Sequence, residues 1–88
     1  MPKAHLKIDN QHELHAHAAA KFVKFASNYD IEVTVSKDGQ TVSGISIMGL
    51  LMLAAMPGDK IVLETTGVQA IEGLKALSDL IKNNFEEL

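Results

Sequence analysis

The sequence predicts an α+β fold, an open-faced sandwich in which a four-stranded antiparallel sheet is covered on one face by three helices, in the order β-α-β-β-α-β-α. Three observations lead there. Residues 4–8, 31–36, 41–43 and 60–66 alternate apolar and polar side chains, the period of a half-buried strand. Residues 16–27, 46–56 and 68–84 carry apolar residues at helical spacing. Asp38-Gly39 joins the second and third strands, and this dipeptide favours the two-residue type I′ hairpin of an antiparallel pair. A sheet with helices on one side buries one face and leaves the other wet.

Each element has a local reason. In the first strand Ala4, Leu6 and Ile8 point one way and His5 and Lys7 the other, before the polar loop Asp9-Asn10-Gln11-His12-Glu13. The first helix grows from an alanine run, alanine being the best helix former, and places Ala19, Phe22, Val23 and Ala26 on one stripe. Asn28-Tyr29-Asp30 ends it. In the second strand Ile31, Val33 and Val35 oppose Glu32, Thr34 and Ser36, and Thr41-Val42-Ser43 returns as the third. Met56-Pro57-Gly58-Asp59 closes the second helix with strong turn chemistry. In the fourth strand Ile61, Leu63 and Thr65 oppose Val62 and Glu64. Gly67 then precedes a last helix with Ile71, Leu74, Leu77 and Ile81 as its stripe.

Composition narrows the functional classes. The 88 residues predict one domain, 1–88, with a core of Leu, Ile, Val, Ala and Met, since aromatic residues are only 5 %. A net charge of -3, with scattered lysines and no arginine, gives no footprint for nucleic acid. The absence of cysteine excludes disulfides and thiolate metal sites and fits a reducing compartment. Met1-Pro2-Lys3-Ala4-His5-Leu6 lacks the pattern of a signal peptide, and the apolar runs fall short of a bilayer span. A cytoplasmic protein without membrane contact is expected.

His15 opens the alanine-rich helix. The first N–H groups of a helix lack partners inside it and, with the positive end of the macrodipole, form an anion site. A neutral imidazole beside that site can act as a nucleophile toward phosphorus, its phosphorylated form resting on the N–H groups of Ala16, His17 and Ala18. A histidine at a helix start also serves as an ordinary surface residue, so this position alone does not decide.

The segment Ser46-Ile47-Met48-Gly49-Leu50-Leu51-Met52-Leu53 is the second informative feature. Serine is a preferred N-cap, and the helix behind Ser46 is apolar nearly all round. With Leu50, Leu53 and Ala54 facing the sheet, Ile47, Met48 and Leu51, with Met52 at the margin, lie toward solvent as a partner surface. The alternative is deeper burial of the whole helix. A phosphate on Ser46 would suit the helix N-terminus and set negative charge beside the patch.

Leu14-His15-Ala16 before an alanine-rich helix, Asp38-Gly39, Ser46-Ile47-Met48-Gly49 starting 31 residues after His15, and Gly67 before a final helix together resemble the HPr family over essentially the whole chain. These are the histidine-containing phosphocarriers of the bacterial phosphoenolpyruvate-dependent sugar phosphotransferase system. The resemblance implies the open-faced sandwich already reached from periodicity. It implies that His15 accepts a phosphoryl group from phosphorylated enzyme I and passes it to a IIA component. Ser46 would be the regulatory site of an HPr kinase/phosphorylase that uses ATP. Partner contacts would fall on Ala16, Ala20, Lys24, Ile47, Met48 and Leu51. Such a protein is a carrier that is itself phosphorylated, not an enzyme, and needs no cofactor.

The sequence departs from the family at the site. Where the family pattern reads Gly-Leu/Ile-His-Ala/Thr-Arg-Pro-Ala, this chain reads Glu13-Leu14-His15-Ala16-His17-Ala18-Ala19. Arginine holds phosphate through two parallel hydrogen bonds at every physiological pH, whereas His17 does so only when protonated. Ala18 restores a backbone N–H that proline lacks. Glu13 adds negative charge near an anion site. The expected sum is weaker stabilisation of phospho-His15. A regulatory phosphoprotein that keeps Ser46 but transfers slowly through His15 is therefore the alternative reading. A third class is a histidine-based metal domain, since His12, His15 and His17 are close in sequence. Their His-x2-His-x-His spacing matches no familiar zinc motif, and no metal is expected.

Overall fold

The computed structural model describes residues 2–7, 16–53 and 59–83. Strand β1 (Lys3–Lys7), helix α1 (Ala16–Ala26), strands β2 (Glu32–Lys37) and β3 (Gln40–Ser43), helix α2 (Ile47–Leu53), strand β4 (Lys60–Thr66) and helix α3 (Ala70–Lys82) follow in the expected order. Among the described residues the strands form one sheet with spatial order β1-β4-β2-β3, and every neighbouring pair is antiparallel. The ends of three elements expected from the sequence, at Ile8, at residues 54–56 and at Asn84, lie outside the described residues.

Strand alternation sorts the two faces of the sheet. Val33 and Val35 of β2 and Ile61, Leu63 and Thr65 of β4 are buried, while Glu32 and Lys60 are exposed and Thr34, Val62 and Glu64 half-buried. The helices supply the other half of the core: Ala18, Ala19, Phe22 and Ala26 from α1, Leu50 and Leu53 from α2, and Leu77, Leu80 and Ile81 from α3. Each large apolar side chain buried here, such as Phe22, Leu63 or Leu77, stabilises the fold by about 1.5–3 kcal/mol relative to exposure. On the open face the Ser36 and Thr41 hydroxyls share a hydrogen bond of 2.9 Å across β2 and β3.

The hairpin forms as its sequence requires. Lys37 pairs with Gln40, leaving two residues in the loop, and both have positive φ, 51° at Asp38 and 84° at Gly39. That is the type I′ signature, whose twist matches the flanking strands.

Two helical stripes differ from the sequence reading. In α1, Ala18 joins the buried set while Val23 is only half-buried. Small methyl groups at Ala18 and Ala19 let α1 lie close to its neighbours. In α3 the expected stripe residue Ile71 is 76 % exposed, and the buried residues are Ala70, Gly73, Leu77, Ser78, Leu80 and Ile81. At 3.6 residues per turn Ile71 and Leu77 lie about 120° apart, so both cannot face the sheet. Gly73 sets the choice: a Cβ there would meet Ile31 Cδ1 at 2.7 Å, so this face of α3 lies against Ile31.

The turn into α3 is tied to the connection between α1 and β2. Gln69 donates its backbone N–H to the Asp30 carbonyl at 3.2 Å, and its side-chain Oε1 accepts the Asp30 N–H at 2.8 Å. Gly67, with φ of 114°, makes this approach possible, since a Cβ would sit 2.8 Å from the Asp30 carbonyl oxygen. Thr65 is buried in the core, and its hydroxyl donates to the Ala70 carbonyl at 2.7 Å. A buried hydroxyl so partnered avoids the cost of desolvation without a bond.

Candidate functional site

Helix α1 begins at Ala16, the residue after His15 in the chain. The first N–H groups of a helix have no partner inside it. His15, Glu13, His12 and the side chain of Ala16 lie outside the described residues. The His17 side chain is exposed, as are those of Ala20 and Lys24. Steps of three and four residues put these on one face of α1, opposite the face that buries Ala19, Phe22 and Ala26. Ala18 directs its methyl group into the core, at 3 % exposure.

Ser46 takes the N-cap position of α2. Its Oγ accepts the Gly49 N–H at 2.9 Å, and its carbonyl accepts the Leu50 N–H at 3.0 Å. Its own N–H donates to the Ser43 carbonyl at 3.2 Å, so the cap is fixed to the end of β3. Gly49 lies where a Cβ would come within 3.2 Å of both Ser46 Oγ and Val42 Cβ. The other end of α2 is held by Lys37, whose Nζ donates to the Leu53 carbonyl at 3.4 Å and pairs with Asp59 at 2.9 Å. A cation at a helix C-terminus complements the dipole.

Between these anchors α2 is two-faced rather than buried all round. Leu50 and Leu53 are in the core, while Ile47, Met48 and Met52 are 41 %, 67 % and 75 % exposed. Ile45, just before the cap, is 61 % exposed. Leu51 is half-buried and packs against the core. The sequence reading did not include Ile45, a single apolar residue beside a turn. Ser46 thus stands at the edge of an apolar face. Val68 and Ile71 form a second exposed apolar pair, at the start of α3, which the sequence reading also missed.

His5 and His17 are on different layers, one on β1 of the sheet and the other on α1. Among the described residues no group of three His, Cys, Asp or Glu side chains is placed to hold a metal, and no helix is long and apolar enough to cross a membrane.

The family model for the PTS HPr component phosphorylation site matches residues 2–83. The phosphocarrier protein HPr of Neisseria meningitidis is 47 % identical over 87 residues, covering 99 % of this chain and 98 % of that protein. HPr of Pseudomonas aeruginosa is 46 % identical over 88 residues, covering 99 % and 98 %. The crystal structure of HPr-C-His from Thermoanaerobacter tengcongensis has 39 % identity and a TM-score of 0.92, covering all of both chains. The chain belongs to the HPr family of phosphotransferase-system phosphocarriers.

Proposed function

We propose that this protein accepts a phosphoryl group on His15 from phosphorylated enzyme I and passes it to a IIA component, with Ser46 as a regulatory phosphorylation site. The observation that carries the reading is the family match over residues 2–83, with His15 immediately before Ala16 in the sequence. A neutral ring nitrogen of His15 attacks phosphorus, the new N–P bond forms, and the bond to the donor breaks. The N–H groups at the start of α1 are suited to receive the phosphoryl oxygens. The apolar face of Ile47, Met48 and Met52, with Ala20 and Lys24 on α1, is where both partners would dock. An HPr kinase/phosphorylase would add phosphate at Ser46.

His17, exposed on the first turn of α1 where the family pattern has arginine, favours a second reading, in which transfer through His15 is slow and regulation through Ser46 is the main role. One experiment separates the two. The protein is loaded with phosphoenolpyruvate and catalytic enzyme I, then mixed with a IIA component, and phosphoryl arrival on IIA is timed. Transfer within seconds supports the carrier; loading and transfer hundreds of times slower than for an arginine-containing relative support the regulatory protein.

A further inference from the structure

The chain has no cysteine and no tryptophan but four methionines, so its readiest group toward a two-electron oxidant is a thioether. Methionine in a short amphipathic helix ordinarily fills gaps in the core. In α2 that task falls to Leu50 and Leu53, at 0 % and 3 % exposure, and Met48 and Met52 are left 67 % and 75 % exposed. Four residues apart, the two sulfurs share one helix face. Ile45 and Ile47 flank them, both exposed.

We propose that Met48 and Met52 form an oxidation site, and that their conversion to sulfoxides by hydrogen peroxide disables the α2 face for docking. The second half rests on the reading of that face as the enzyme I surface. In each event a sulfur lone pair attacks one peroxide oxygen, an S–O bond forms and the O–O bond breaks. Sulfur is oxidised by two electrons, and the other peroxide oxygen leaves as water. An apolar thioether becomes a polar sulfoxide whose oxygen must be desolvated when a partner covers it. The fold is spared, because both side chains lie largely in solvent. Ser46 caps the same helix, so phosphate and sulfoxide would reach one surface by independent chemistry. The sulfoxide adds no net charge, and its effect will not fade with added salt as that of a phosphate does.

The test treats wild type and the Met48→Leu/Met52→Leu double variant with hydrogen peroxide, maps all methionines by peptide mass spectrometry, and times phosphoryl acceptance from phosphorylated enzyme I. Expected are sulfoxides at Met48 and Met52 and a fall in acceptance of about tenfold. Methionine sulfoxide reductases should restore the rate, and the leucine variant, measured against its own untreated rate, should lose none of it under the same dose. Unmodified Met48 and Met52, or an equal loss in the leucine variant, overturns the proposal. So do sulfoxides formed with no change in rate. In that last case an untreated Met48→Gln/Met52→Gln variant assigns the failure. If it is slow, the docking reading stands and only the oxidation switch falls; if it is as fast as wild type, the docking reading falls as well. Untreated protein that accepts no phosphoryl group contradicts the carrier reading, and the docking consequence falls with it.

Discussion

The Ser46 side chain accepts the backbone N–H of Gly49 at 2.9 Å, and this bond ties the hydroxyl to the first turn of α2. The same oxygen that would carry phosphate caps α2. Ser46→Ala removes the cap and should lower unfolding free energy by about 1 kcal/mol, read by urea denaturation. Ser46→Asp keeps a capping oxygen and suits the positive end of the dipole, so stability should stay within about 0.5 kcal/mol of wild type. Its acceptance of phosphoryl groups from enzyme I should nevertheless fall, because charge now borders an apolar face. A Ser46→Asp protein as fast as wild type would show that this edge of α2 is not at the interface.

Gly39 and Gly67, both with positive φ, should respond differently to alanine. Gly67 has φ of 114°, and a Cβ would meet the Asp30 carbonyl oxygen at 2.8 Å; Gly39 has φ of 84° and open space around it. Gly67→Ala should therefore cost about 2–3 kcal/mol, from backbone strain and from displacing the Gln69–Asp30 pair. Gly39→Ala carries the backbone penalty alone, about 1 kcal/mol. Chemical denaturation of both variants checks the order, and a larger loss at Gly39 would contradict the close approach of Gly67 to Asp30.

His17 stands where the family pattern has arginine, and a guanidinium offers a phosphoryl group two parallel hydrogen bonds that an imidazole cannot. His17→Arg should therefore shift the phosphoryl exchange equilibrium with enzyme I toward this protein by about tenfold, the worth of one further charge-assisted hydrogen bond. Equal equilibria for wild type and His17→Arg would mean that this position has no part in holding the phosphoryl group.

Elements with strong local signals were legible in the sequence. Alternation over residues 60–66 fixed both the bounds and the buried set of β4, and Asp38-Gly39 fixed the β2–β3 pairing. The position of β4 between β1 and β2 was not legible, because that pairing joins segments distant in sequence and leaves no local signal. Ile71 was misassigned because a run of three- and four-residue steps drifts around a helix, and the contact of Gly73 with Ile31 that chooses the face is tertiary. At the site, Ser46 as a cap followed from residue type and spacing, whereas for Met48 the periodicity left exposure and deeper burial both open until the packing of α2 decided it. Ile45 did not, since nothing in a single apolar residue beside a turn says which way it points.

The most direct measurement concerns His15. Wild type and His15→Ala are incubated with phosphoenolpyruvate and enzyme I, and intact mass is recorded before and after brief acid treatment. Wild type should gain one phosphoryl group that acid removes, and His15→Ala should gain none. An acid-labile phosphoryl group acquired by His15→Ala at the wild-type rate would contradict the assignment of His15 as the acceptor.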